Sequence, residues 1–179
     1  MLESLRRTIG LQVARFRFRK SREKIISFTQ SVSSARQALL IMPLEPEMKL
    51  HTNMIVLMLK QKFGDDNITV VTPDQHTDIA RILPGSNMIK VAATDQTLFF
   101  LPRRELIERI AGRTYDLAID LNLDLVVPSA YICKESRARV RVGFVSKRAD
   151  VFYNFQIQRD PALNRQLIYD RLAKCLQMF

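Results

Sequence analysis

The densest grouping of reactive side chains falls in residues 43–51, which read Pro-Leu-Glu-Pro-Glu-Met-Lys-Leu-His. Glu45 and Glu47 have the chemistry of a general base or an ion-pairing site. Lys49 suits an anion, and His51 can shuttle protons near neutral pH. The same four residues also suit a solvated turn leading into the exposed side of a helix. A second grouping, Asp120, Asn122 and Asp124, closes a segment that begins at Asp116. Acids and an amide so spaced fit a cation or a sugar hydroxyl. They equally fit an aspartate that orders its own loop through local hydrogen bonds. His76 lies between Asp74 and Asp78, and one histidine does not make a zinc site. Cys133 and Cys175 match no metal spacing and are expected as buried or half-buried small apolar groups in a reducing setting. Neither a metal nor a cofactor is expected. The 43–51 loop contains no glycine, so it carries neither the dinucleotide fingerprint nor a phosphate-cradling loop. No Ser-His-Asp or Cys-His set has a recognisable context.

These groups need elements to hold them. Residues 38–42 form a continuous apolar run closed by Pro43, as in a strand buried on both faces. Helix-like periodicity over 50–63 ends at Gly64. Strands follow at 67–71, 88–91, 116–121 and 140–144. Between them lie helical stretches at 74–83, 102–112 and 125–135, and a last helix covers 161–178 with Pro161 in its first turn. Strict alternation of strand and helix predicts an α/β fold, a doubly wound and mostly parallel sheet with helices on both faces. In such sheets ligands bind at the carboxyl ends of the strands. This placement brings the 43–51 loop and Asp120–Asn122 into consideration together.

The chain has 179 residues and a net charge of +10, unevenly spread. Residues 1–37 carry nine Lys/Arg against two acids, and the rest is nearly balanced. In this leader Leu2, Leu5, Ile9, Val13 and Phe16 recur at helical spacing. Arg6, Arg7, Arg15, Arg17, Arg19, Lys20, Arg22 and Lys24 make it basic, and Ser31 to Ser34 reads as a linker. An amphipathic helix of this kind either packs its stripe on its own sheet or presents it to an anionic membrane surface or a partner protein. No apolar run reaches the ~20 residues of a membrane span, and the arginines interrupt any signal-peptide core. The expectation is a cytoplasmic protein, with peripheral attachment to the cytoplasmic face of the inner membrane as one use of the leader. Arg15 to Lys24, interleaved with Phe16 and Phe18, also suits nucleic acid, less well because the body is nearly neutral.

Residues 38–178 resemble the N-terminal half of glycosyltransferase family 9, the ADP-heptose:lipopolysaccharide heptosyltransferases. Arg113-Thr114-Tyr115-Asp116-Leu117-Ala118-Ile119-Asp120-Leu121-Asn122 is similar to that family's YDLVIDLQ strand. Arg139-Val140-Arg141-Val142-Gly143-Phe144 is similar to its RRRIGF strand. The first strand, the helix at 50–63 and Asn67-Ile68-Thr69-Val70-Val71 resemble the family's opening, and Asn164 to Gln177 its helix before the interdomain linker. The resemblance implies one Rossmann-like half of a two-domain GT-B fold at 38–179, preceded by a helical extension and linker at 1–37. It also exposes departures. The family's Gly-Asp pair, whose aspartate is the proposed base, falls at Met48 and Lys49, and a lysine is cationic at pH 7. The basic residue after the first strand is Pro43, and the donor-binding half has no counterpart. The resulting expectation is a non-catalytic binding or assembly module that docks through its basic helix. The alternatives are the acceptor-binding half of a split glycosyltransferase and an RNA-binding protein.

Overall fold

A computed structural model describes residues 2–19, 26–73, 79–160 and 162–178, the side chains of residues 49 and 50 aside. The described residues form six strands: β1 (Ala38–Ile41), β2 (Ile68–Pro73), β3 (Asn87–Val91), β4 (Leu117–Asp120), β5 (Val140–Phe144) and β6 (Phe155–Ile157). They make one sheet in the order β3-β2-β1-β4-β5-β6, with every pair parallel. The helices are α1 (Leu2–Phe18), α2 (Phe28–Ser33), α3 (Asn53–Phe63), α4 (Ile79–Ile82), α5 (Arg104–Ala111), α6 (Val127–Glu135) and α7 (Arg165–Gln177).

Both faces of the sheet are covered, because successive side chains of a strand point to opposite sides. Ala38 and Leu40 of β1, Ile68 and Val70 of β2, and Leu117 and Ile119 of β4 point into one core. That core is closed by α2, α3, α4 and α7 through residues such as Val32, Ile55, Ile79 and Tyr169. Leu39, Ile41, Val71 and Ala118 point the other way, into a core closed by α1, α5 and α6 through Ala14, Leu106, Ile110 and Ala130. Two-sided burial is why these strands are mostly apolar and lack the alternation of a half-exposed strand.

The doubly wound expectation holds, and several boundaries move. Residues 46–52 form a 3₁₀ turn, so α3 begins only at Asn53. Residues 74–78, including His76, lie outside the described residues, and so does Pro161; α7 is capped instead by Asn164, whose side chain accepts from the Leu167 N–H. Ser31–Ser34 is no open linker. Ser31 and Val32 are buried in α2, a six-residue helix that Ser27 caps through the Gln30 N–H. Strand β6 is an addition to the sequence reading.

Helix α1 packs on the body through the side opposite its apolar stripe. Its stripe Leu2, Leu5, Ile9, Val13 and Phe16 is 38–75% exposed. The side turned to the body is instead Gly10 and Ala14, both buried, with Leu11 and Phe18 half-buried against the α5/α6 core. Small residues let the helix lie close. A Cβ on Gly10 would sit 2.0 Å from the Phe99 carbonyl oxygen. At the other end Phe18 packs on Tyr131 at 5.0 Å between ring centres, and Arg17 bonds Glu135 of α6 at 2.8 Å.

Candidate ligand cleft at the strand ends

The carboxyl ends of β1 and β4 meet where the strand order reverses, the usual ligand position of an open parallel sheet. Asp120 closes β4, in register with Ile41. Alternation from Ala118 turns it toward the α5/α6 side, where it is fully buried. Its Oδ1 accepts from the Asn122 backbone N–H at 3.0 Å and from Asn122 Nδ2 at 2.7 Å. Its Oδ2 accepts from the Tyr153 hydroxyl at 2.8 Å. Burial pushes its carboxyl up to about 6, against the downward pull of these three bonds. Tyr153 reaches Asp120 only because residue 143 is glycine. A Cβ there would lie 2.5 Å from the Tyr153 ring. Asn122 extends the link by accepting the Leu44 N–H at 2.9 Å, which ties the β4 loop to the β1 loop. Asp120 is therefore an ordering residue with both oxygens engaged. Its geometry matches the loop-ordering reading of the sequence.

Above this tie a cleft of about 780 Å³ opens. Pro43, Leu44, Glu45 and Met48 line it from the β1 side, and Asn122, Leu123 and Asp124 from the β4 side. Arg159 and Arg165 close a third wall, pairing with Asp124 at 3.2 Å and with Glu47 at 3.6 Å. The fourth wall is the leader. Arg7, Thr8 and Leu11 of α1 face the cleft, next to Gln96, Thr97 and Phe100 of the β3–α5 loop. Arg7 lies over the Phe100 ring at 5.1 Å. Guanidinium groups beside hydroxyls and amides suit a polar or anionic ligand.

The structure thus brings Glu45 and Asn122 together in one cleft, with Glu47 at its rim through Arg165. His51 is elsewhere, with its Nδ1 3.0 Å from Gln166 Oε1 on α7. Lys49 stands in the 3₁₀ turn, and its side chain is outside the described residues, as are Lys20, Arg22 and Lys24 entirely. Of the remaining basic leader residues, Arg6, Arg7, Arg17 and Arg19 are exposed and Arg15 is half-buried. Asp116 serves the fold by accepting the Arg36 and Gln37 N–H groups at 2.8 and 3.1 Å. Burial raises the Cys133 thiol well above its usual range, helped by the Asp120 charge, and raises Cys175 less. Both fit packing roles. No cluster of three or more metal-ligating side chains occurs among the described residues. Sequence spacing marked Arg7 only as one of the basic leader residues and gave no sign of Arg159, Arg165 or Tyr153. They come from elements far apart in the chain, and nothing in their immediate neighbours marks them.

The sequence matches no protein-family model and no curated protein significantly. The fold does have solved counterparts. Heptosyltransferase WaaC of E. coli with ADP-2-deoxy-2-fluoro heptose superposes with a TM-score of 0.60 at 18% identity, covering 80% of this chain and 49% of that one. The family 9 glycosyl transferase of Veillonella parvula DSM 2008 gives 0.61 at 14% identity, covering 80% and 42%. WaaC with ADP gives 0.55 at 19% identity, covering 78% and 46%. The chain spans about half the length of these structures and shares the α/β fold of that half. At this identity the likeness is one of fold.

Proposed function

We propose that this chain is a binding or assembly module, built on one half of a heptosyltransferase-like fold, that docks on an anionic membrane surface through α1. The observation that carries the reading is the outward stripe of α1. Leu2, Leu5, Ile9, Val13 and Phe16 are exposed, while the helix meets its own body through glycine, alanine and the inner residues Leu11 and Phe18. A stripe needed for the protein's own core would face inward. On a helical projection Arg6 and Arg19 flank it, and the Arg19 guanidinium rests 5.6 Å from the centre of the Phe16 ring. Apolar side chains at acyl depth with arginines at headgroup depth describe a helix lying in a bilayer interface. No described helix is long and apolar enough to cross a membrane, so the contact is peripheral in this reading. Each arginine near an anionic leaflet contributes about 1 kcal/mol.

The test is partition of the full chain onto phosphatidylglycerol-containing vesicles against neutral phosphatidylcholine vesicles. Two engaged arginines predict a preference of about thirtyfold for the anionic vesicles, weakening as salt rises. Equal partition on both, or a mobility shift with single-stranded RNA in the absence of vesicle binding, would overturn the reading.

The cleft favours a second reading, the acceptor-binding half of a split glycosyltransferase. Its position at the strand ends and its arginine-rich wall are the supporting observations. ADP-sugar turnover that appears only when this chain is combined with a second protein fraction would establish it, and turnover independent of this chain would remove it.

A further inference from the structure

We propose that Leu98 and Phe99, at the tip of the β3–α5 loop, form a second insertion point into the same bilayer that α1 docks on. The inference rests on the membrane reading of α1 and adds to it a surface outside the leader.

Single exposed apolar residues are ordinary on protein surfaces. Three observations set this pair apart. The first is position. Leu98 is 74% exposed and Phe99 41%. The Phe99 carbonyl occupies the space where a Cβ on Gly10 would stand. Gly10 neighbours Val13 one turn further along α1. The loop therefore packs against α1 at Gly10, one turn from Val13 at the edge of the exposed stripe.

The second is construction. The loop is tied at its base by the Gln96–Pro102 bridge and by the Thr97 N–H donating to Leu101 O at 2.8 Å. Thr97 Oγ1 accepts from the N–H groups of Phe99 and Leu101 at 3.3 and 3.2 Å. Phe100 adopts a left-handed backbone with φ 59°, which is unfavourable for an aromatic residue and persists only when its surroundings enforce it. Phe100 lies half-buried under Arg7, while Leu98 and Phe99 stay outside. A rigid loop that holds apolar side chains in water suits a surface that will cover them.

The third is charge. Arg7, paired with Glu3, lies over Phe100 next to the tip, and at the loop's base Arg103 Nε donates to Gln96 O at 3.2 Å. Arg104 follows, exposed and paired with Glu108. Three arginines on and beside the loop match an anionic headgroup layer over an acyl interior.

The chain contains no tryptophan, so Leu98→Trp places a single reporter at the tip and Phe16→Trp a matching one on α1. Both are titrated with phosphatidylglycerol/phosphatidylethanolamine vesicles. The proposal expects both emissions to shift to the blue and both to become protected from aqueous quencher. It also expects Leu98→Gln to weaken vesicle partition about tenfold, with unchanged melting because the side chain is mostly in water. A shift at Phe16→Trp alone, with Leu98→Trp still open to quencher, overturns the loop contact and leaves α1 docking in place. No shift at either site overturns both. A shift at Leu98→Trp alone overturns docking through the α1 stripe and, with it, the loop as a second point of insertion.

Discussion

Replacing Asp120 by alanine is expected to lower unfolding stability by about 3 kcal/mol at pH 5, the largest single-residue effect at the strand ends. The change leaves the Asn122 N–H, its side-chain amide and the buried Tyr153 hydroxyl without their shared acceptor. It also releases the tie that brings Asn122 to Leu44. Asp120→Asn keeps an oxygen for Asn122 and an amide that the rotatable Tyr153 hydroxyl can face. That variant is expected within about 1 kcal/mol of the parent. The two also differ in pH response. Burial pushes this carboxyl up to about 6, above its ordinary value of 3.8. Between those values the folded state holds more protons than the unfolded one, so stability falls as pH rises through the window. Roughly two pH units correspond to about 3 kcal/mol lost between pH 4 and pH 7. Urea titrations at several pH values check this: subtracting the Asp120→Asn curve from the parent's should leave that fall, and a flat difference would mean the carboxyl is not desolvated as the geometry requires.

Gly10→Ala is expected to undock α1 while improving it as an isolated helix. Alanine favours a helix interior over glycine by about 1 kcal/mol. At this position its Cβ would meet a backbone oxygen at 2.0 Å, and a backbone atom cannot swing aside as a flexible side chain can. The helix must lift, which loosens Leu11 and the Phe18–Tyr131 and Arg17–Glu135 contacts. Hydrogen exchange should show faster exchange along α1 and in the 96–100 loop, with helix content by circular dichroism unchanged. A variant that gains protection in α1 would show that propensity outweighs the crossing and that the helix does not lie as described. The cleft gives a second readout, since Arg7, Thr8 and Leu11 form one of its walls.

Strands β1, β2, β4 and β5 were legible in the sequence because two-sided burial leaves a short, mostly apolar run between turn residues, and the half-buried β3 was legible from its place in the strand–helix alternation. Strand β6 was not. It is three half-buried residues at the sheet edge, Phe155 to Ile157, too short to show a period. Helix α2 hid behind serines, which read as a break until Ser27 is seen capping and Val32 is seen in the core. The stripe of α1 was read correctly as a helix face, and its direction was not in the pattern. Periodicity finds the apolar side of a helix; what that side meets depends on which face has residues small enough to approach the body, here Gly10 and Ala14. At the strand ends, sequence placed Glu45, Asp120 and Asn122 at the right edge. It did not tell a buried ordering carboxylate from a working one, because that depends on Tyr153, 33 residues away and admitted by Gly143.

The most direct test of the account compares the two sides of α1 with uncharged substitutions that keep helix propensity. Leu5→Gln with Phe16→Gln alters the outer side, and Leu11→Gln the inner. Vesicle partition and urea stability are measured for each. The account predicts about a hundredfold weaker partition onto anionic vesicles for the outer pair, with stability unchanged. For the inner variant it predicts a loss of about 1–2 kcal/mol in stability. An outer pair that destabilises the fold and leaves vesicle partition untouched would place the stripe in the protein's own packing and contradict docking through α1.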